Sequence, residues 1–111
     1  MTETLGLRIW WGRIDGPGPV EGVVAATVHG AQLSAARYVL DPDVVVPEHS
    51  HANEEFGQVL AGSLELRCAG LTEQLAPGDA FIVPGDVPHS CTAGSDGCEL
   101  IECYAPPREQ R

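Results

Sequence analysis

Two histidines and a glutamate stand close together in the segment PEHSHANEEFGQVLAG, residues 47–62, of a chain that has four histidines in 111 residues. In an extended strand, residues two apart project from the same face, so His49 and His51 can present both imidazoles to one ion. Glu55 follows a short loop, and FGQVL after it is typical of a returning strand. The resulting hairpin brings the Glu55 carboxylate back beside the histidines.

A third histidine, His89, lies in PGDAFIVPGDVPHS, which predicts a turn, a strand, a tight turn and another strand. If that strand neighbours the first, three imidazoles and one carboxylate converge. This donor set suits one divalent metal ion, and its mixed nitrogen and oxygen character does not choose among Zn, Fe, Ni, Cu and Mn. Glu54 is the rival of Glu55 and is expected to face solvent. His29, alone before a glycine, is expected to have no ligand role.

The elements that position these residues are predicted to be strands. Nine prolines and thirteen glycines separate short runs rich in β-branched and apolar residues, and no stretch keeps a 3.6-residue apolar period over three turns. The pattern indicates an all-β sandwich or barrel, with one domain over residues 1–111. Turns are predicted at residues 41–43, 61–62, 77–79, 84–86 and 94–97.

Two spaced motifs resemble those of the cupin superfamily. The first motif is a glycine, five residues, H-x-H, three or four residues, a glutamate, six residues and a glycine. The second is a glycine, five residues, P-x-G, two residues and a histidine. They match His49, His51, Glu55 and Gly62 in the first case, and Gly78, Pro84 and His89 in the second. The resemblance implies a double-stranded β-helix, that is, a jelly-roll barrel, with His49, His51, Glu55 and His89 as metal ligands.

Three positions depart from the cupin motifs. Asp43 stands where the first motif opens with glycine, Asp86 replaces the glycine of P-x-G, and Ala93 stands where the second motif often ends in asparagine. These departures affect turns and one end of the barrel. All four ligand positions are filled.

Among cupins, the likeness is to small one-domain members that end in a proline-arginine-acid segment, here APPRE at residues 105–109. That group includes the pectin-degradation protein that linearises unsaturated uronates and the aromatic polyketide cyclases. The resemblance implies a metal-dependent isomerase, cyclase or lyase that acts on a small, oxygen-rich molecule. Many of these proteins carry glutamine at the Glu55 position. The glutamate here adds a negative charge that favours a divalent cation and weakens its Lewis acidity.

Three further residues are candidates for catalysis. Glu102 and Tyr104 share a strand face with Leu100, so an inward Leu100 predicts an interior carboxyl that can transfer a proton. Arg37 lies in the apolar run AARYVL, where alternation does not decide whether Arg37 or Tyr38 faces inward. An outward, solvated side chain is the alternative for each.

Two other functions stay open. An Fe(II)-dependent dioxygenase would use the same ligands and would consume oxygen together with its substrate. A non-catalytic cupin that binds a metal or a ligand would have no proton-transfer group inside, so the position of Glu102 distinguishes it from an enzyme.

Composition limits the partners. A net charge of −10 argues against nucleic acid, which needs basic residues, and against an anionic membrane surface. We expect a small-molecule substrate, a cytoplasmic location because no secretory signal pattern is present, and a homodimer because the apolar AAT and VVV edges carry no charge.

The four cysteines, at positions 68, 91, 98 and 103, lack C-x-x-C spacing, so reduced and mostly buried thiols are expected. Cys91 shares the alternation of His89 and is expected to point into the same cavity. A disulfide between Cys91 and Cys98, across a hairpin at residues 94–97, is the less favoured alternative.

Overall fold

The computed structural model describes residues 7–108 and contains eight strands and one short 3₁₀ helix, Trp11–Arg13. The strands are β1 (Gly16–Pro17), β2 (Val23–His29), β3 (Ser34–Leu40), β4 (Val45–His49), β5 (Glu54–Cys68), β6 (Leu71–Leu75), β7 (Ala80–Val83) and β8 (His89–Ala105). Between residues 7 and 108, no helix is long and apolar enough to cross a membrane.

All strand pairs are antiparallel, and the two longest strands, β5 and β8, lie side by side at the centre. The order is β1-β2-β3-β8-β5-β6, with β4 also on β8 and β7 also on β5. The first part of β8 pairs with β4 and its last part pairs with β3, so one strand serves both halves of the structure. This confirms the predicted all-β jelly-roll fold.

Two predicted turns are wrong. Residues 61–62 lie inside β5 and residues 94–97 lie inside β8, where the pairing register shifts and each strand bends without reversing. Gly62 and Gly97 have positive φ angles of 75° and 79°. A Cβ on Gly62 would stand 2.1 Å from the Gly97 carbonyl oxygen, so this crossing needs glycine. The turns at 41–43, 77–79 and 84–86 do connect strands, as predicted.

The bend in β8 also removes the predicted hairpin between Cys91 and Cys98. Both residues belong to this one strand, and all four cysteines, which lie within the described residues, are free thiols.

Aspartate occupies the two turn positions where the cupin motifs have glycine. Asp43 and Asp86 both have a φ of 65°, in the left-handed region. Glycine enters this region without steric cost, and aspartate tolerates it better than most residues. The motif positions therefore keep the backbone conformation of glycine although the residue has changed.

Alternation along the central strands separates a buried interior from a wetter outer face. Val59, Leu64 and Leu100 are almost fully buried and belong to one apolar cluster, in which each large side chain contributes about 1.5–3 kcal/mol on burial. The same alternation carries Glu55 and Glu102 inward, four residues before Val59 and two residues after Leu100. The apolar cluster therefore fixes the register that positions the polar residues.

Candidate metal centre

The three histidines of the motifs meet at one end of the barrel. His49 is the last residue of β4 and pairs directly with His89, the first residue of β8. His51 lies in the loop that follows, rather than in the strand where the spacing predicted it. One ring nitrogen from each histidine lies within 4.8 Å of the other two. His89 is buried, His51 half-buried and His49 exposed, so the cluster opens to solvent on one side.

Backbone carbonyls determine which nitrogen of each ring carries the proton. The Nδ1 atoms of His49, His51 and His89 lie 2.8, 3.1 and 2.9 Å from the carbonyl oxygens of Pro47, Asn53 and Val87. A carbonyl oxygen only accepts, so each Nδ1 donates and each Nε2 of a neutral ring keeps its lone pair. This arrangement is typical of metal-binding histidines, whose second nitrogen is held by an outer partner.

Glu55, near the start of β5, lies beside this cluster. Its Oε1 lies 3.1 Å from His51 Nε2 and 3.5 Å from His89 Nε2, and its side chain is buried. The neighbouring Glu54 is exposed, as expected. The four predicted ligands therefore lie together.

The nitrogen lone pairs of the histidines and the carboxylate oxygen of Glu55 face one another, and a cation between them would attract both. With both Nδ1 atoms protonated, Glu55 Oε1 meets the lone pair of His51 Nε2, and His89 Nε2 is buried with no hydrogen-bond partner among the described residues. A second proton on a ring, or a cation between the donors, relieves this contact. Burial and the positive charge of Arg108 lower the pKa of His51, which disfavours the proton there. The residues present therefore fit a divalent metal ion.

Glu55 and His89 each favour the charged form of the other. Burial alone would raise the pKa of the Glu55 carboxyl, but the polar groups of His89, 3.5 Å away, and of Glu102 outweigh burial and lower this pKa below its ordinary value. The same contact with Glu55 raises the pKa of His89 against the opposing effect of burial. Glu55 is thus ionised at neutral pH, the form that binds a cation.

Glu102 and Tyr104 lie on the interior face of β8, as their alternation with Leu100 predicted. Burial, together with the negative charge of Glu55, raises the pKa of the Glu102 carboxyl well above its ordinary range. The Tyr104 hydroxyl donates a short hydrogen bond to Glu102 Oε1 and lies 2.8 Å from the Tyr38 hydroxyl. The site therefore holds a half-buried carboxyl group close enough to the carboxylate that faces the histidines for that charge to favour its protonated form.

Arg37 is not part of this site, and the expectation of a catalytic role is corrected by its placement. Its guanidinium points to the outer face, 3.3 Å from the Asp15 carboxylate and 3.5 Å from that of Glu99. Tyr38, the alternative at this strand position, is the residue that faces inward. Because β-strand side chains alternate, only one of the two can reach the interior.

The Cys91 thiol lies near enough to the site to feel the charges of Glu102 and Glu55. Burial raises the pKa of Cys91 to about 12, so this thiol is protonated and poorly suited to bind a metal at neutral pH.

Arg108 was not assigned from the sequence, although it belongs to the APPRE segment. Its guanidinium carbon lies 5.1 Å from the centre of the Tyr104 ring, which places a cation beside the interior acid.

An antiparallel β-barrel that carries H-x-H, a glutamate and a distant histidine at its open end defines a class of small metal-binding jelly-roll proteins. The family model described as "Cupin domain" matches residues 36–103, more than half of the chain. The chain therefore belongs to the cupin family. A search of curated proteins found no match.

Solved structures support this assignment. KdgF from Halomonas sp. is 27% identical, with a TM-score of 0.78 over 84% of this chain and 86% of that chain. An RmlC-like cupin from Shewanella frigidimarina is 23% identical, with a TM-score of 0.82 over 94% and 95% of the two chains. An oxalate decarboxylase variant from Bacillus subtilis is 20% identical, with a TM-score of 0.75. This chain covers 26% of that longer protein, so the likeness concerns the fold of one part of it.

Proposed function

We propose that this cupin is a metal-dependent enzyme that transfers a proton on a small, oxygen-rich substrate, as an isomerase, cyclase or lyase. One observation carries the proposal: Glu102, an interior acid held by the Tyr104 hydroxyl, lies close enough to Glu55, the carboxylate that faces two of the three convergent imidazoles, for the Glu55 charge to raise its pKa. A module that only binds a ligand has no need of an interior acid whose charge is so costly to bury.

His49, His51, Glu55 and His89 are the proposed ligands of one divalent ion. Bound there, the ion would supply Lewis acidity to a carbonyl or enol oxygen of the substrate. Glu102 is the proposed general acid or base, because its raised pKa favours the protonated form that a general acid needs. Tyr104 orients that carboxyl through its hydrogen bond.

Arg108 indicates the charge of the substrate. Its guanidinium lies beside Tyr104 at the edge of the interior site, and guanidinium groups bind carboxylates in a bidentate geometry. A small organic acid therefore fits the site better than a neutral sugar. The likeness to KdgF and to uronate-linearising cupins supports unsaturated uronates as the first substrates to test.

The first experiment is elemental analysis of protein purified without an affinity tag. We expect near-stoichiometric zinc, nickel or another divalent metal in the wild type, and its loss in His51→Ala. Absence of metal in both proteins, even after reconstitution, would contradict the proposal and favour a binding module. Iron together with substrate-dependent oxygen uptake would favour the dioxygenase instead.

The second experiment tests the acid. Glu102→Gln should keep the metal and lower turnover of an unsaturated uronate by about 10²–10⁴-fold, the usual contribution of a positioned acid or base. Glu54→Gln, which changes an exposed glutamate next to Glu55, is the matched control and should leave turnover unchanged. Equal turnover by Glu102→Gln and the wild type would remove Glu102 from the mechanism.

A further inference from the structure

The residues that follow β8 are fastened to the rest of the protein on two sides. We name residues 106–108 the exit segment. On one side, Asn53 Nδ2 donates to the carbonyl oxygens of Pro106 and Pro107, at 2.5 and 3.3 Å. On the other side, the Arg108 amide donates to Ser34 Oγ at 2.8 Å. These contacts join positions more than 50 residues apart in sequence, so they are made by the fold and not by local chain geometry.

Burial and a hydrogen bond to His29 hold the Ser34 hydroxyl where the Arg108 amide reaches it. It is the first residue of β3, is fully buried, and its Oγ lies 2.7 Å from His29 Nδ1. The hydroxyl is thus hydrogen-bonded on both sides, once to a side chain and once to the exit segment. This gives His29 a structural partner, in agreement with the expectation that it has no ligand role.

Asn53 connects the exit segment to the metal-binding loop. Its side chain holds the segment, whereas its backbone carbonyl accepts the hydrogen bond from His51 Nδ1 at 3.1 Å. An ion bound to His51 Nε2 would restrain the ring and, through the Nδ1 hydrogen bond, the backbone carbonyl of Asn53. One residue therefore has contacts in both places.

We propose that Asn53 and Ser34 are positioning residues that hold Arg108 beside Tyr104 and couple its placement to metal binding at His51. The coupling part rests on the proposed metal centre. By reciprocity of binding free energies, a metal that strengthens docking of the exit segment must itself bind more weakly, by the same factor, when docking is lost. One net hydrogen bond corresponds to roughly a fivefold change in such an equilibrium.

The test follows the Arg108 amide by hydrogen exchange, using NMR of the full chain. Proline has no N–H, so Arg108 has the first exchangeable amide after Ala105. Exchange is measured without metal and with zinc, which is diamagnetic, and zinc affinity is titrated separately. The variants are Asn53→Ala and Ser34→Ala. Gln58→Ala is the matched control, because Gln58 Nε2 also donates to a backbone carbonyl, that of Gly78 at 3.2 Å, away from the exit segment.

We expect zinc to slow Arg108 exchange about fivefold in the wild type and in Gln58→Ala, as one hydrogen bond would. Asn53→Ala should lose this dependence and bind zinc more weakly by the same factor. Ser34→Ala should speed Arg108 exchange even without metal. Zinc that binds without affecting Arg108 exchange would overturn the coupling alone. Failure of the wild type to bind zinc or any of the other divalent ions named above would instead overturn the metal-dependent function.

A second readout concerns the guanidinium itself. The chain has two tyrosines, so protein labelled with 3-fluorotyrosine gives two ¹⁹F signals, and Tyr38→Phe identifies that of Tyr104. Arg108→Gln should shift the Tyr104 signal because the cation leaves the ring. Asn53→Ala should shift the same signal in the same direction. An unchanged Tyr104 signal in Asn53→Ala would show that Asn53 does not position Arg108.

Discussion

The interior chain of Tyr38, Tyr104 and Glu102 allows a test by removal of hydroxyl groups. Tyr104 is the middle member: its hydroxyl donates to Glu102 and shares a hydrogen bond with Tyr38. Because the single Tyr104 proton is used for Glu102, the Tyr38 hydroxyl must be the donor to Tyr104. We consider replacement of each tyrosine by phenylalanine, singly and together. Each of the three variants leaves a different set of polar groups without a hydrogen bond.

The expected free energies follow from counting those groups. Tyr38→Phe removes one hydrogen bond and leaves Tyr104 still donating, at a cost of about 1 kcal/mol. Tyr104→Phe leaves both the Tyr38 hydroxyl and one Glu102 oxygen unpaired, at a cost of about 2–4 kcal/mol. The double variant leaves the Glu102 oxygen alone and costs about 1–3 kcal/mol. Adding Tyr38→Phe to Tyr104→Phe should therefore raise the free energy of unfolding above that of Tyr104→Phe alone.

Equilibrium unfolding in urea measures the three differences, with metal removed from every sample so that ion binding does not stabilise some variants more than others. The slope of the free energy of unfolding against urea should be the same for all four proteins. A double variant less stable than Tyr104→Phe, with the two single costs adding, would refute the directional chain. It would mean that Tyr38 donates elsewhere and does not support Tyr104.

Three other predictions concern packing, backbone and assembly. Gly57→Ala should lower the free energy of unfolding by about 1–3 kcal/mol, since its Cβ would stand 2.2 Å from the Phe81 ring; thermal unfolding at an unchanged midpoint would contradict this. Asp86→Gly should be nearly neutral, whereas Asp86→Val should cost at least 1 kcal/mol, roughly the penalty of a left-handed residue; equal midpoints in urea would argue against a role for its φ of 65°. The homodimer stays a prediction: Phe56 and Ile82 are exposed and paired across β5 and β7, and glutamate at both should reduce a two-chain mass in light scattering to one chain. A wild-type mass near one chain would exclude it.

Motif spacing predicted the residues of the candidate metal centre because the fold depends on that spacing. The spacing names two histidines two positions apart, a glutamate four residues later and a third histidine after a tight turn, but β4 and β5 do not form the expected hairpin, and both pair with β8 instead. His49 and His89 then meet through direct strand pairing. The all-β class could be predicted for a similar reason, since frequent glycine and proline leave no room for long helices.

Other features depend on the tertiary structure and were not predictable. Glycine is typical of turns and bulges alike, so the sequence predicts a turn at residues 61–62, where β5 in fact continues. Arg37 and Tyr38 are adjacent, and the inward choice depends on the register between β3 and β8. The contact of Arg108 with Tyr104 depends on where the exit segment is fastened, through Asn53 and Ser34.

The register between β5 and β8 explains why one site holds both Glu55, which faces the histidines, and Glu102, a carboxyl with a raised pKa. It places Glu55 opposite Tyr104, and Gly57 opposite Glu102. Gly57 has no side chain, and the Phe81 ring occupies the place that its Cβ would take, while the Tyr104 hydroxyl donates to the Glu102 carboxyl. A slip of one residue would turn Glu102 outward and expose Leu100 with it. The apolar core therefore resists the one change that would expose Glu102 to water, and so keeps this acid beside the carboxylate that faces the histidines.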